Sequence, residues 1–164
     1  AVNIGELAPV PVVMIEHREQ DSQRLGNAFL RLNSLLHLRG WQNDGTTRAF
    51  SIHYPPHTAA YLPQLAKFNI KTAGMRYAAL TTLPLLQLAA PPLQSGVIAG
   101  GRYAVLQHYG AYADLDTASD WFLDWFRRNG LTIAAAPVIL EYLDMQCCDT
   151  SPAQTRVNIC VPLA

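Results

Sequence analysis

The residue whose type and setting most invite a chemical role is Glu141, in the run Pro137-Val138-Ile139-Leu140-Glu141-Tyr142-Leu143. On an extended strand Glu141 shares a face with Ile139 and Leu143, while Val138, Leu140 and Tyr142 take the other. Both faces are apolar: one can be covered by a helix, and the other needs a second cover that a ligand cavity would supply. A carboxylate in an apolar wall is costly unless paired, so it would attract an incoming cation strongly. The alternatives are satisfaction by an internal partner such as Arg156, or exposure at a strand end. Tyr54, Tyr103, Tyr112 and Trp121 are candidate aromatic walls, because rings stack on planar ligands and attract cations through their faces. For any single ring an ordinary core place is the better expectation, while for the set at least two are expected to line a pocket. His53 is the remaining candidate: it occupies the place equivalent to Glu141 in an internal repeat set out below, and is expected to enter the same cavity unless it is structural. Glu141 with Tyr103 or Tyr54 could also activate water. No independent nucleophile–base pair accompanies them, which ranks binding above catalysis and leaves no residue assigned as catalytic.

Other chemistries lack their residues. His17, His37, His57 and His108 are scattered without His-x-His or H-E-x-x-H spacing, so neither a metal site nor a metal cofactor is expected. Cys147, Cys148 and Cys160 are odd in number with two adjacent, which suggests reduced thiols rather than a disulfide framework. G-x-S-x-G, P-loop and dinucleotide fingerprints are missing, and Gly100-Gly101 precedes a strand rather than a helix, so no nucleotide cofactor is expected either. Twelve Lys and Arg balance twelve Asp and Glu, so no positive field exists to hold a nucleic-acid backbone, and contact with DNA is expected only indirectly, through a domain outside this chain. No window approaches the roughly 18 uninterrupted apolar residues of a membrane span, and the first residues lack the pattern of a signal peptide. A cytoplasmic protein without membrane contact is the expectation. The start at Ala1 instead of Met fits either a processed protein or a domain excised from a longer one, with excision preferred.

The elements that must position these residues follow from periodicity. With 164 residues, 50% of them hydrophobic and 15% charged, the chain has ample apolar area for a packed core. Val10 to His17 predicts a strand; Leu25, Ala28, Phe29, Leu32, Leu35 and Leu36 predict a helix capped at Asp21 or Ser22 and closed at Gly40. Ala49 to Tyr54 and Lys67 to Thr72 alternate as strands. The second half repeats the order: a strand at Arg102 to His108, a helix from Asp114 or Asp116 to Asn129-Gly130, then strands at Pro137 to Leu143 and Thr155 to Leu163. His17 to Gly40 spans 23 positions and His108 to Gly130 spans 22, and His53-Tyr54 matches Glu141-Tyr142. The segment from Tyr77 to Ala99, broken by Pro84, Pro91, Pro92 and Gly96, reads as a packed crossover with a short strand at Tyr77 to Thr82. The expected fold is α+β, a single domain over 1–164 with module one at about 8–80 and module two at about 97–164.

The second half carries a family resemblance. Gly101-Arg102-Tyr103-Ala104-Val105 followed by Gly110-Ala111-Tyr112 resembles the G-x-Y-A-V-x-x-x-x-G-x-Y signature of GyrI-like (gyrase-inhibitor-like) domains. Trp121-Phe122 and Trp125-Phe126 resemble that family's aromatic helix before an S/N-G stop. Pro137 to Leu143 is similar to its P-x-F-E-x-Y-L strand, with Glu141 one place nearer the tyrosine, and Thr155 to Leu163 to its closing T-x-I-x-x-P-V strand. The first half departs from the family at Tyr54-Pro55-Pro56, where an Asp-Asp-Pro turn is usual. The resemblance implies two pseudo-twofold-related strand-helix-strand-strand (SHS2) modules, an antiparallel sheet with helices on one face and a ligand groove between the halves. It implies binding of a small lipophilic or cationic effector on behalf of an AraC- or MerR-type bacterial transcription regulator or a stand-alone sensor, with a homodimer as one option. Hydrolysis of reactive natural products, and toxin sequestration or contact with a topoisomerase, are the rival functions it carries.

Overall fold

The computed structural model of the chain describes residues 2–17, 22–42, 47–53, 76–81, 89–111, 114–134, 136–144 and 155–164. Their order is β1 (Val2–Leu7), β2 (Val10–His17), α1 (Ser22–Leu38), β3 (Arg48–His53), β4 (Arg76–Thr81), β5 (Gln94–Ile98), β6 (Gly101–Gly110), α2 (Leu115–Arg128), β7 (Val138–Tyr142) and β8 (Thr155–Pro162). The architecture is α+β, with every strand pair antiparallel in one sheet of order β1-β6-β8-β7-β3-β4-β2-β5.

Both helices stop as their glycines predict. Gly40 and Gly130 take φ of 90° and 65°, a conformation that costs glycine little because it has no Cβ. Trp41 N–H donates to Leu36 O at 3.0 Å and Leu131 N–H to Phe126 O at 3.0 Å, so both ends are closed by the same Schellman arrangement. The apolar stripes of the two helices then share one face of the sheet. Phe29, Leu32 and Leu36 from α1 and Phe122 and Phe126 from α2 are buried with Val13, Ile15, Ala49, Leu140, Val157 and Val161. Each such large side chain contributes about 1.5–3 kcal/mol through apolar burial. The crossover is packed at its end: Leu93 joins this core, and the Arg39 guanidinium donates to the carbonyls of Ala90 and Pro91 at 2.8 and 3.2 Å.

The strand Arg76–Thr81 matches the short strand predicted at Tyr77 to Thr82 to within a residue, while the predicted Lys67–Thr72 strand lies outside the described residues. The strands β1 and β5 were not anticipated. They form the two edges of the sheet and β1 is exposed along nearly its whole length, so ladder hydrogen bonds hold it without any burial pattern for the sequence to record.

These edge strands also give the sheet its shape. Only Ala8 and Pro9 separate β1 from β2, although the two lie six strand spacings apart in the sheet order. A flat sheet would put them roughly 29 Å apart, whereas the connection reaches only roughly 10 Å. The sheet must therefore curl. The registers show how: Leu7 faces Gly101 and Val10 faces Ile98, so β1–β2 and β5–β6 run as one antiparallel ribbon in a single continuous register from one half to the other. The halves meet twice, at this ribbon and at the β3–β7 pair.

Candidate ligand-binding site

A cavity of about 390 Å³ lies between those two junctions, on the sheet face away from the helices, and falls within the roughly 300–1,000 Å³ typical of small-molecule sites. Residues Leu7 to Pro11, with Ile98 and Ala99, line it from the ribbon; Tyr103 and Val105 come from β6, Arg48 and Phe50 from β3, Ile139 and Glu141 from β7, and Asn158 and Cys160 from β8. Strand alternation explains the set. Positions 48, 50, 139, 141, 158 and 160 face the cavity, while Ala49, Leu140, Val157, Ile159 and Val161 between or beside them enter the helix-side core.

Glu141 sits in the floor, directly opposite Phe50 on one side and Asn158 on the other. Its carboxylate has an internal partner, which is Arg48: Nε donates to Oε1 at 2.8 Å and Nη2 to Oε2 at 3.1 Å. Arg156, the candidate partner from the sequence, pairs instead with Asp144, Nη2 to Oδ1 at 2.8 Å. The Arg48 guanidinium carbon also lies 5.0 Å from the centroid of the Phe50 ring, within cation–π range. Its hydrogen bond to Glu141 raises the Arg48 pKa, with burial acting in the opposite direction. Exposure divides the pair, since the Arg48 side chain is 50% exposed and that of Glu141 15%. Asn158 accepts from Gln107 Nε2 at 3.4 Å on the neighbouring strand.

Tyr103 is buried in the cavity wall, and its hydroxyl donates to Ala99 O at 2.6 Å. That bond fixes the ring against the ribbon, and burial pushes the phenol pKa up. Cys160 is a free, buried thiol pushed up to about 12, first by burial and then by the Glu141 carboxylate, so it is protonated at neutral pH.

Of the residues singled out from the sequence, the cavity brings together Glu141 and Tyr103. His53, expected in the same cavity, faces the other way: its Nε2 meets Ser51 Oγ at 2.5 Å, and Ser51 Oγ meets Tyr142 OH at 2.8 Å. His53 stands opposite Val138, a residue of the helix-side core, and successive residues of a strand point to opposite faces, so His53 and Glu141 lie on different sides of the sheet. Trp121 lies half exposed on α2 with the Arg128 guanidinium carbon 5.8 Å from its ring centroid, and does not line the cavity. Tyr54 and Tyr112 lie outside the described residues. The sequence reading passed over Arg48, Phe50, Asn158 and Cys160. A signal for Arg48 was present, because period-two alternation backwards from Phe50 places it on the same face.

The family model of the GyrI-like small molecule binding domain matches residues 1–164. Among solved structures, EcmrR in a DNA complex superposes with a TM-score of 0.75 at 13% identity, over 99% of this chain and 57% of that one. The isolated EcmrR C-terminal domain gives 0.68 at 14% identity over 100% and 97%. SAV2435 bound to tetraphenylphosphonium gives 0.65 at 16% identity over 100% and 94%. A hydrolase from Listeria innocua gives 0.57 at 9% identity over 99% and 91%. At these identities the likeness is one of fold. A search of curated proteins finds no match to the chain.

Proposed function

This chain belongs to the GyrI-like small-molecule-binding domain family, and we propose that its cavity holds a lipophilic, drug-like effector whose positive charge, where it has one, is met by Glu141 and Phe50. The observation that carries the reading is a carboxylate in an otherwise mainly apolar floor beside an aromatic ring, the pair of features that recognises a delocalised cation. SAV2435, of the same fold, is bound to tetraphenylphosphonium. The cavity-facing side chains of Val10, Ile98, Val105 and Ile139 supply area for a hydrophobic body.

The setting is that of an effector-binding domain reporting to a DNA-binding segment. Supporting this, the chain corresponds to 57% of the EcmrR polypeptide in its DNA complex and to nearly all of the isolated EcmrR C-terminal domain. Assignment to an AraC- or MerR-type regulator, a cytoplasmic location and a homodimeric state belong to this proposal. The ribbon and the β3–β7 pair both line the cavity, so one ligand can touch both junctions between the halves at once.

Hydrolysis is the second reading, favoured by the Listeria innocua hydrolase of the same fold. The geometry supports it less: both Glu141 oxygens accept from Arg48, and the Tyr103 hydroxyl is spent on Ala99, so neither group is poised on a water.

The test is a thermal-shift screen of the protein against lipophilic cations, dyes and neutral planar compounds. A ligand bound only by the folded state adds about 2.7 kcal/mol at a hundredfold excess over its dissociation constant. A shift with cations that falls in Glu141→Gln supports the reading, and no shift with any class removes it. Turnover of a reactive compound by the wild type, lost in Glu141→Ala, would instead establish the hydrolase.

A further inference from the structure

Among the described residues, Arg48 and Glu141 are the two charged side chains lining the cavity, and they neutralise each other. The Arg48 guanidinium already stands where a ligand cation would stand, with two hydrogen bonds on the carboxylate and the Phe50 ring 5.0 Å from its carbon. The two partners are not equally committed to that contact. Glu141 belongs to an interior strand of the sheet and is mostly buried, so losing its counter-charge leaves a costly carboxylate in the floor. Arg48 is the first residue of β3, half exposed on a long side chain, and can turn its charged end into water with little loss of solvation.

We propose that Arg48 is a tethered internal counter-ion that a cationic ligand must displace from Glu141, and that it thereby sets the cavity's selectivity between neutral and cationic lipophiles. This rests on the reading of the cavity as the ligand site. A neutral lipophile enters beside an intact ion pair and loses nothing to it. A cation gains Glu141 only by breaking two charge-assisted hydrogen bonds, so its affinity is discounted by the strength of the internal pair. A ligand anion does not reverse the logic, because taking Arg48 strands the more buried partner.

Two probes separate the cases: tetraphenylphosphonium as the cation and triphenylphosphine oxide as a neutral relative. Calorimetric titration of wild type, Arg48→Met, Arg48→Lys and Glu141→Gln, each first checked for a cooperative melt, gives the comparison. Removing the competitor in Arg48→Met is expected to tighten tetraphenylphosphonium by about tenfold or more while the neutral probe moves by less than about threefold. Arg48→Lys, which keeps a charge without the fork, falls between. In the wild type, tetraphenylphosphonium should expose the Arg48 Nε–H to faster exchange with water, and triphenylphosphine oxide should leave it protected. Cation binding that depends on Glu141 but is no tighter in Arg48→Met, or an Arg48 Nε–H unmoved by saturating cation, overturns the counter-ion role and leaves the site intact. Failure of both probes to bind any folded variant overturns the site itself, and the inference with it.

Discussion

Phe50 and Glu141 stand directly opposite one another on β3 and β7, the strand pair joining the two halves of the sheet at its centre. A ring and a carboxylate from different halves therefore share one place for a positive charge, filled in the protein itself by Arg48.

The ring's part can be isolated with Phe50→Leu, which keeps a large apolar side chain and removes the quadrupole. Cation–π attraction at a partly desolvated site is worth about 0.5–2 kcal/mol, so tetraphenylphosphonium should bind a few-fold to roughly thirtyfold more weakly. A neutral probe should lose less. Equal losses for both probes in calorimetry would show that Phe50 contributes shape and not charge recognition.

Cys160 provides a pH signature. Its pKa is about 12 in the folded chain against an ordinary 9.0, so the unfolded chain releases this proton first. The resulting stability is complete below about pH 9 and is lost as pH climbs toward 12, at up to about 1.4 kcal/mol per pH unit. Urea unfolding between pH 8 and 10.5 should show wild type weakening more than Cys160→Ala. At pH 8 the Cys160 peptide should stay unmodified by iodoacetamide in mass spectrometry, and early labelling in the native protein would contradict a buried protonated thiol.

Gly100 marks where the ribbon crosses between the halves. A Cβ there would stand 2.7 Å from Pro9 Cδ, 2.8 Å from Pro9 N and 3.0 Å from Leu7 O, mostly unyielding atoms. Gly100→Ala should push the connection between β1 and β2 outward, cost about 1–3 kcal/mol and weaken every ligand class together, because Leu7 to Pro11 line the cavity. Chemical denaturation and one titration read both effects, and unchanged affinity would show that the ribbon does not shape the site.

On the opposite face, Ser51 is fully buried and bonds both His53 and Tyr142. Ser51→Ala should cost about 1–3 kcal/mol, since two polar neighbours each lose a partner. Ligand affinity should be nearly unchanged, as this cluster lies on the helix side. A large loss of affinity at constant stability would mean that the two faces are coupled.

Much of this was written in local pattern. The stripe Phe29, Leu32, Leu36, the stripe Leu115, Phe122, Phe126 and the stops at Gly40 and Gly130 specify two helices, because each rests on interactions within a few turns. Alternation in Val138–Tyr142 likewise fixes Glu141 on the face opposite Leu140 and Tyr142, and the string from Gly101 to Gly110 identified the family. What sequence could not supply are relations between distant segments. The partner of Glu141 lies 93 residues away, and Arg48 rather than Arg156 takes that place because the β3–β7 register is set by the packing of both halves at once. The same holds for the face of His53, which stands opposite Val138 of the helix-side core, and for β1 and β5, whose edge positions leave little burial to pattern. The cavity itself belongs to the tertiary structure, since it exists only because a continuous ribbon forces the sheet to curl over its own floor.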